Sequence, residues 1–313
     1  YRLPAYFAGS LAIAMAWRAT CALLRRDDAL LEPALGAGFV AVAFPLVFYG
    51  SEARGYGTLI LFTLVALDML LRYAQERRKI FKVGYWVATI LGFLSHLVFV
   101  HLFAGAVLWA LVALRRDDEG KLPDDLLRMN WVPMAFLGLL FAIDLRLLTF
   151  GGGPDYSLHE VVAQAASLAL GGPHDGPLAF GAAALAALAL FGALALLRKD
   201  ADDRWILLGV TAVLFPALIT VTTQPAFLFP RYYLVGMIVF QLALALGLGR
   251  MLRAEKPWLK ALAALAIPLV VLGHGVNLVS FWERGRGHYR EAIVFVAANS
   301  PTDLVRVSGD HHF

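Results

Sequence analysis

The sequence predicts an all-α polytopic membrane protein, and three observations carry that expectation. Its 313 residues are 60% hydrophobic and 16% charged, with a mean hydropathy of +0.71; ordinary soluble domains run about 45–50% apolar and about 25% charged. Ten apolar runs divide the chain, most of them 18–23 residues long, which is what roughly 30 Å of hydrocarbon requires at 1.5 Å of rise per residue. The basic residues segregate by loop: loops 25–28, 72–82, 115–128, 198–204 and 250–260 hold 18 of the 27 Lys and Arg, whereas 50–56, 149–177 and 224–231 hold only Arg54 and Arg231. The positive-inside rule assigns the first set to the cytoplasm and the second to the opposite side.

In chain order the runs fall at about 3–24, 30–49, 57–74, 83–97, 100–114, 131–148, 178–197, 205–223, 232–252 and 259–281. The stretch 83–114 is too long for one span and short for two. Because the basic loops on either side of it both belong to the cytoplasm, the chain must cross twice between them. Residues 83–114 are therefore expected to form a tight hairpin of two short helices, with its outer turn near Ser95-His96 to His101. Segment 3–24 then runs inward, which implies an earlier span and outer loop before Tyr1; the chain shows no signal peptide and is read as starting inside a longer protein.

Residues 156–169 place Leu158, Val161, Val162, Ala165, Leu168 and Ala169 on one helical face, bounded by glycines and prolines at 151–154 and 171–177. That spacing predicts an amphipathic helix in the outer interface, in the manner of a lid. Beyond Trp282 the tail turns soluble: a helix over His288 to Ala298, turn chemistry at Asn299-Ser300-Pro301-Thr302-Asp303, and a short strand at Leu304-Val305-Arg306-Val307. The organisation expected is a transmembrane domain over 1–282 and, over 283–313, the start of an extracytoplasmic α/β domain.

Several classes drop out. One cysteine, Cys21, within an apolar run, allows no disulfide framework in a single chain. The net charge of +4 comes from scattered loop residues rather than a basic patch, so no nucleic-acid partner is expected. There is no P-loop, no GxGxxG, no nucleophile elbow and no Cys/His metal array.

The residues that could carry chemistry collect on the outer side. Gly50-Ser51-Glu52-Ala53-Arg54-Gly55-Tyr56-Gly57 sets an acid, a base and a tyrosine within five residues of each other at a membrane face. Arg54 stands on the side that the positive-inside rule depletes, and its guanidinium fork suits a phosphate. Phe229-Pro230-Arg231-Tyr232-Tyr233 forms a second such cluster. Two arginines and tyrosine hydroxyls on one face fit a phosphate or pyrophosphate clamp; the ordinary alternative is an interfacial anchor and aromatic belt. His96 and His101 are five apart, which is not the i, i+4 spacing of a helical metal pair, and His96 is read as orienting a substrate. The remaining outer polar groups are Ser95, Asp155, His159, Glu160, His174, Asp175 and Gln224; Asp68 and Asp144, inside spans, show no clear sequence partner and are read as structural ion pairs.

Ser51-Glu52-Ala53-Arg54-Gly55-Tyr56-Gly57 resembles the (S/Q)-E-A-R-x-Y motif of membrane glycosyltransferases of the dolichyl-phosphate-mannose–protein mannosyltransferase type. These are GT-C fold enzymes of glycosyltransferase family 39, among them the bacterial aminoarabinose transferases. Tyr1-Arg2-Leu3-Pro4 with Ala8-Gly9, Leu94-Ser95-His96, Pro230-Arg231-Tyr232 and Tyr289-Arg290-Glu291-Ala292 are similar to further stations of that family, in the same order and on the same side.

The resemblance implies an inverting transfer of a sugar from a polyprenyl-phosphate donor to a lipid, glycan or protein acceptor outside the inner (plasma) membrane. It implies that Arg54 and Arg231 hold the donor phosphate and that Glu52, Tyr56, His96 and Tyr232 line the substrate. The family's catalytic base, an aspartate of the first outer loop, would lie before Tyr1. No cofactor is required beyond the donor; a divalent metal is compatible, although no acidic cluster demands one. The rivals are a secondary transporter or flippase of a lipid-linked or anionic substrate, an O-antigen polymerase or ligase, and a non-catalytic membrane subunit.

Overall fold

A computed structural model describes residues 3–52, 54–114, 121–147, 157–199, 203–223, 228–285 and 289–300. Among them all regular structure is helical: α1 Leu3–Leu24, α2 Leu31–Val42, α3 Phe44–Gly50, α4 Tyr56–Glu76, α5 Lys79–Ser95, α6 Val100–Leu114, α7 Lys121–Met129, α8 Trp131–Ile143, α9 Leu158–Leu170, α10 Gly176–Lys199, α11 Arg204–Gly209, α12 Phe215–Thr223, α13 Leu234–Arg253, α14 Pro257–Arg284 and α15 Tyr289–Asn299. Among the described residues, seven helical stretches are long and apolar enough to cross a membrane, and an eighth is the bent pair α2–α3. The protein is an all-α polytopic membrane protein.

α13 is the axis of the bundle. Every residue from Leu234 to Gly249 is buried, and α2, α10 and α14 pack around it. Outward-facing leucines, valines and phenylalanines on α8, α10 and α14 remain uncovered, among them Leu188 at 70% and Leu272 at 63% exposure. An apolar periphery of that extent is the surface a bilayer covers.

The charged loops meet at one end. Asp68, fully buried, accepts from Arg18 Nη2 at 3.0 Å and from Arg72 Nε at 2.8 Å, and Arg72 reaches on to Asp27 at 3.0 Å. Arg77 pairs with Asp125 at 2.9 Å, Arg253 pairs with Glu32, and Arg204 donates to the Ala22 carbonyl at 3.2 Å. Loops that the sequence groups by positive charge are thus cross-linked at the same end of the bundle. Asp68, read from sequence as a structural ion pair, has two partners, one of them four residues along its own helix.

The run 83–114 folds as two short helices. α5 has 17 residues and α6 has 15, joined by a 3₁₀ turn at Leu97–Phe99. His96 ends α5 in an extended conformation (φ −168°, ψ 137°), and its Nδ1 accepts from the Val98 N–H at 3.2 Å, capping the next turn.

Two expectations need correction. Residues 30–49 do not form one straight span: α2 and α3 meet at 54°. Ala43 precedes Pro45 by two and adopts ψ 109°, and the proline at the second position of α3 can donate no hydrogen bond. The freed Phe44 N–H is taken up by His274 Nδ1 of α14 at 3.2 Å. The helix over 158–170 forms, with Ser157 and Glu160 as a reciprocal capping box, but its buried face is rotated. Val161, Ala163, Ala165, Ser167, Leu168 and Ala169 are inside, while Leu158 and Val162 are exposed.

α9 packs against α10, and also against α3 and the turn Pro230–Tyr233. Its carboxyl end is locked into the bundle: Gln241 of α13 donates to the Ala169 carbonyl, and Asn277 of α14 donates to the Gly172 carbonyl at 2.9 Å. Gly171 closes the helix at φ +87°, with its Cα against the backbone of His274, a place no Cβ would fit. The expected tail helix is α15; the strand expected at 304–307 lies outside the described residues.

Candidate functional site

At the end opposite the paired charges, four elements converge: the exit of α3, the first turn of α4, the hairpin turn after α5, and the 3₁₀ turn Pro230–Tyr233 that opens α13. Local sequence sets each of them. α3 runs out at Gly50, where the Ser51 N–H bonds back to Val47 and the Glu52 N–H to Tyr49, both at 3.0 Å. α4 then begins at Tyr56, with the Thr58 hydroxyl held on the Gly55 carbonyl at 2.9 Å. Gly55 lies so close to the carbonyl of Ser95 that any Cβ would run into it. That contact fastens the Glu52–Tyr56 loop to the hairpin turn, and it requires glycine there.

Tyr56 is the hub. Its ring lies 5.6 Å from that of Tyr49 and 5.0 Å from the imidazole of His96. Arg54 donates a side-chain hydrogen bond to its hydroxyl, and the charges of Arg231 and Glu52 reach both Tyr56 and Tyr49. Arg231 is half-buried, its guanidinium 4.1 Å from the ring centre of Phe229 and 5.8 Å from that of Tyr232. Rings stacked on a guanidinium orient it without neutralising it. Tyr233 lies behind, its hydroxyl 3.2 Å from that of Thr220 on α12.

His96 is held neutral. Burial, and then the nearby charge of Arg231, push its pKa from the usual 6.5 down to about 4. Because Nδ1 accepts from Val98, the ring proton sits on Nε2. Near pH 7 His96 is therefore a fixed hydrogen-bond donor rather than a cation.

Of the residues expected from sequence, Glu52, Arg54, Tyr56, His96, Arg231 and Tyr232 are brought together here. Others are not. His101 faces into the bundle against Phe215, with 5.9 Å between ring centres. His159 stacks on Phe180 and His174 contacts Gln164, both within the α9–α10 corner. Asp144 is exposed where α8 ends. Asp155 and Gln224 lie outside the described residues. Among the described residues no three His, Cys, Asp or Glu side chains converge as metal ligands would. Sequence reading missed Tyr49, whose signal was an aromatic closing the run before the Glu52 loop, and Thr220, whose contact with the expected Tyr233 has no signal in spacing.

Chemically the site offers two guanidiniums, one carboxylate, a neutral imidazole donor and phenolic hydroxyls beside a membrane-buried bundle. Such a set can hold an anionic phosphate and hydrogen-bond a hydroxylated group next to it. In comparisons with known proteins, no family profile and no curated protein matches the chain.

Proposed function

We propose that this protein is an inverting membrane glycosyltransferase. It would use a polyprenyl-phosphate sugar as donor, with the Glu52–Tyr56 loop and Arg231 as the donor site on the extracytoplasmic face of an inner (plasma) membrane. The observation that supports this reading best is the convergence on Tyr56 of Arg54 and Arg231, 177 positions apart, at the end of the bundle poor in basic residues.

In the transfer, an acceptor hydroxyl oxygen bonds to the anomeric carbon as the bond from that carbon to the donor phosphate oxygen breaks. The electron pair leaves with the polyprenyl phosphate, and the hydroxyl proton passes to a base that these residues do not identify. Arg54 and Arg231 offset the charge that develops on the leaving phosphate, and donors already in place at that point contribute most to such stabilisation. His96 Nε2–H, the Glu52 carboxylate and the tyrosine hydroxyls suit the sugar and acceptor hydroxyls. A divalent metal is compatible with this transfer. The ten-span topology, with α5 and α6 each crossing as a short helix, belongs to the same proposal, as does an extracytoplasmic domain continuing from α15.

One observation favours a second reading. The broken helix α2–α3, with a buried histidine at the break, is a device of secondary transporters and flippases of anionic or lipid-linked substrates. Such folds repeat the device in symmetry-related pairs; among the described residues it occurs once. The full-length protein in liposomes, supplied with a polyprenyl-monophosphate sugar and an acceptor extract, separates the two readings. Release of polyprenyl phosphate with sugar appearing on acceptor supports transfer. Donor moved intact across the bilayer, with no transfer, would replace it with transport.

A further inference from the structure

Phe229 and Tyr232, the rings set against the Arg231 guanidinium, come from the same turn as the arginine itself. They orient the side chain within its turn. A hydrogen bond then ties the turn to the neighbouring helix. The Tyr233 hydroxyl lies 3.2 Å from that of Thr220 on α12. The Thr220 proton is already committed, since Oγ1 donates to the Pro216 carbonyl at 2.8 Å. Tyr233 is therefore the donor, and the bonds run from Tyr233 to Thr220 to Pro216.

An irregularity upstream decides which residue α12 presents here. Val210–Leu214 is a π-helical turn, closed by the Phe215 N–H on the Val210 carbonyl, five residues back instead of four. Pro216 follows and has no N–H with which to restore the ordinary ladder at once. One extra residue rotates everything beyond it by about 100° around the helix axis, and that sets the phase of Thr220. Within the π turn, the Ala212 carbonyl stands so close to Gly236 of α13 that a Cβ there would be 3.1 Å from it. The start of α13 is thus held to this helix at two heights, by Ala212 against Gly236 and by Thr220 against Tyr233.

We infer that Tyr233 is a positioning residue: by donating to Thr220 it fixes the turn that carries Arg231, and so sets where that guanidinium stands among Tyr49, Tyr56 and His96. Those three rings belong to other elements, and the charge of Arg231 reaches all of them. An ordinary tie between two helices would stabilise the bundle and leave that charge where it is. The two roles separate at His96. Burial and Arg231 hold its pKa down, whereas the Tyr56 ring and the Val98 N–H beside it carry no charge. The His96 titration midpoint therefore reports the place of the guanidinium.

The test uses the full chain in detergent with isotope-labelled histidines, titrated by NMR, the His96 signal being assigned by its loss in His96→Gln. Arg231→Gln should raise the His96 midpoint by about one pH unit, as removal of a nearby like charge does. Tyr233→Phe and Thr220→Val should each raise it by a clear part of that shift, and the two together by no more than either alone, because both break one bond. Thr220→Ser, which keeps the hydroxyl, should titrate as wild type. Tyr233→Phe should also weaken binding of polyprenyl monophosphate by about fivefold, the effect of one hydrogen bond, with a melting temperature near wild type. That last consequence rests on the transferase reading and the NMR readout does not, so a donor that fails to bind wild type counts against the donor site alone. An unmoved midpoint in Tyr233→Phe, whatever its melting temperature, would reduce the bond to a tie between helices. An unmoved midpoint in Arg231→Gln, or a Thr220→Ser shifted as far as Thr220→Val, would equally overturn the inference.

Discussion

The two ends of the bundle treat arginine in opposite ways. At the basic end, guanidiniums are matched by carboxylates: Arg18 and Arg72 share Asp68, Arg72 also holds Asp27, Arg77 holds Asp125 and Arg253 holds Glu32. At the other end the cluster holds one carboxylate, Glu52, for two guanidiniums, and the supports are rings and a phenol: Phe229 and Tyr232 under Arg231, and the Tyr56 hydroxyl on Arg54. Paired charge fastens helices together. Charge set on aromatic surfaces keeps its field and can still receive an anion. The comparison teaches that abundance of arginine says less about function than what each arginine is set against.

Substitutions can break or sharpen this contrast. The largest effect is expected at the aromatic end. Arg54→Ala and Arg231→Ala should each lower the transfer rate by about 10²–10³-fold, the usual cost of one preorganised donor, with melting temperature and expression near wild type. A fully active, well-folded variant of either would remove that residue from the donor site.

Asp68→Asn should do the reverse. It leaves Arg18 and Arg72 against a neutral group in a buried position and should cost about 3 kcal/mol of stability, seen as a lower melting temperature in detergent. Donor affinity of the folded fraction should not change.

His274→Leu comes next, at about 2 kcal/mol, because the Phe44 N–H would be left buried without an acceptor. Since α3 leads into the Glu52 loop, donor binding should weaken with it; a thermal scan alongside donor titration reads both.

A pH dependence probes the aromatic end by another route. His96 has a folded-state pKa of about 4, below the ordinary 6.5, so the unfolded chain takes up its proton first. Stability should fall as pH drops from 6.5 towards 4 and level off below that. His96→Gln should flatten that slope while keeping a hydrogen-bonding side chain; an unaltered slope would mean that other groups set it.

Much of this was legible in the sequence. Loop charge alone predicts that the 83–114 stretch is not one helix, and the structure breaks it into α5 and α6. The Glu52–Tyr56 motif and the Arg231 turn stood out because arginine is rare on their side. What sequence concealed came from tertiary neighbours. Pro45 signalled a disturbance in the 30–49 run, but nothing in spacing could show that His274, 230 residues away, would satisfy the freed N–H. The helical period of 158–169 is legible, yet the face it buries follows from contact with α10 above all, then α13 and α14, and that rotates it away from the most apolar stripe. Asp68 reads as a structural ion pair, and Arg72 is visible as its i, i+4 partner, whereas Arg18, fifty residues back, is not.

The break at Ala43 carries one more consequence. A continuous helix transmits rotation: adding one residue turns everything beyond it by about 100°. A chain that stops being helical at ψ 109° and restarts against a side chain from another helix passes no such torque. α3 takes its phase from His274 and from Phe281, whose ring lies 5.1 Å from that of Phe48, and α2 takes its own from α13. The joint works as a coupling that slips. Changes of register in α2 would stay on its side of Ala43, and the loop bearing Glu52 and Arg54 would keep its aim.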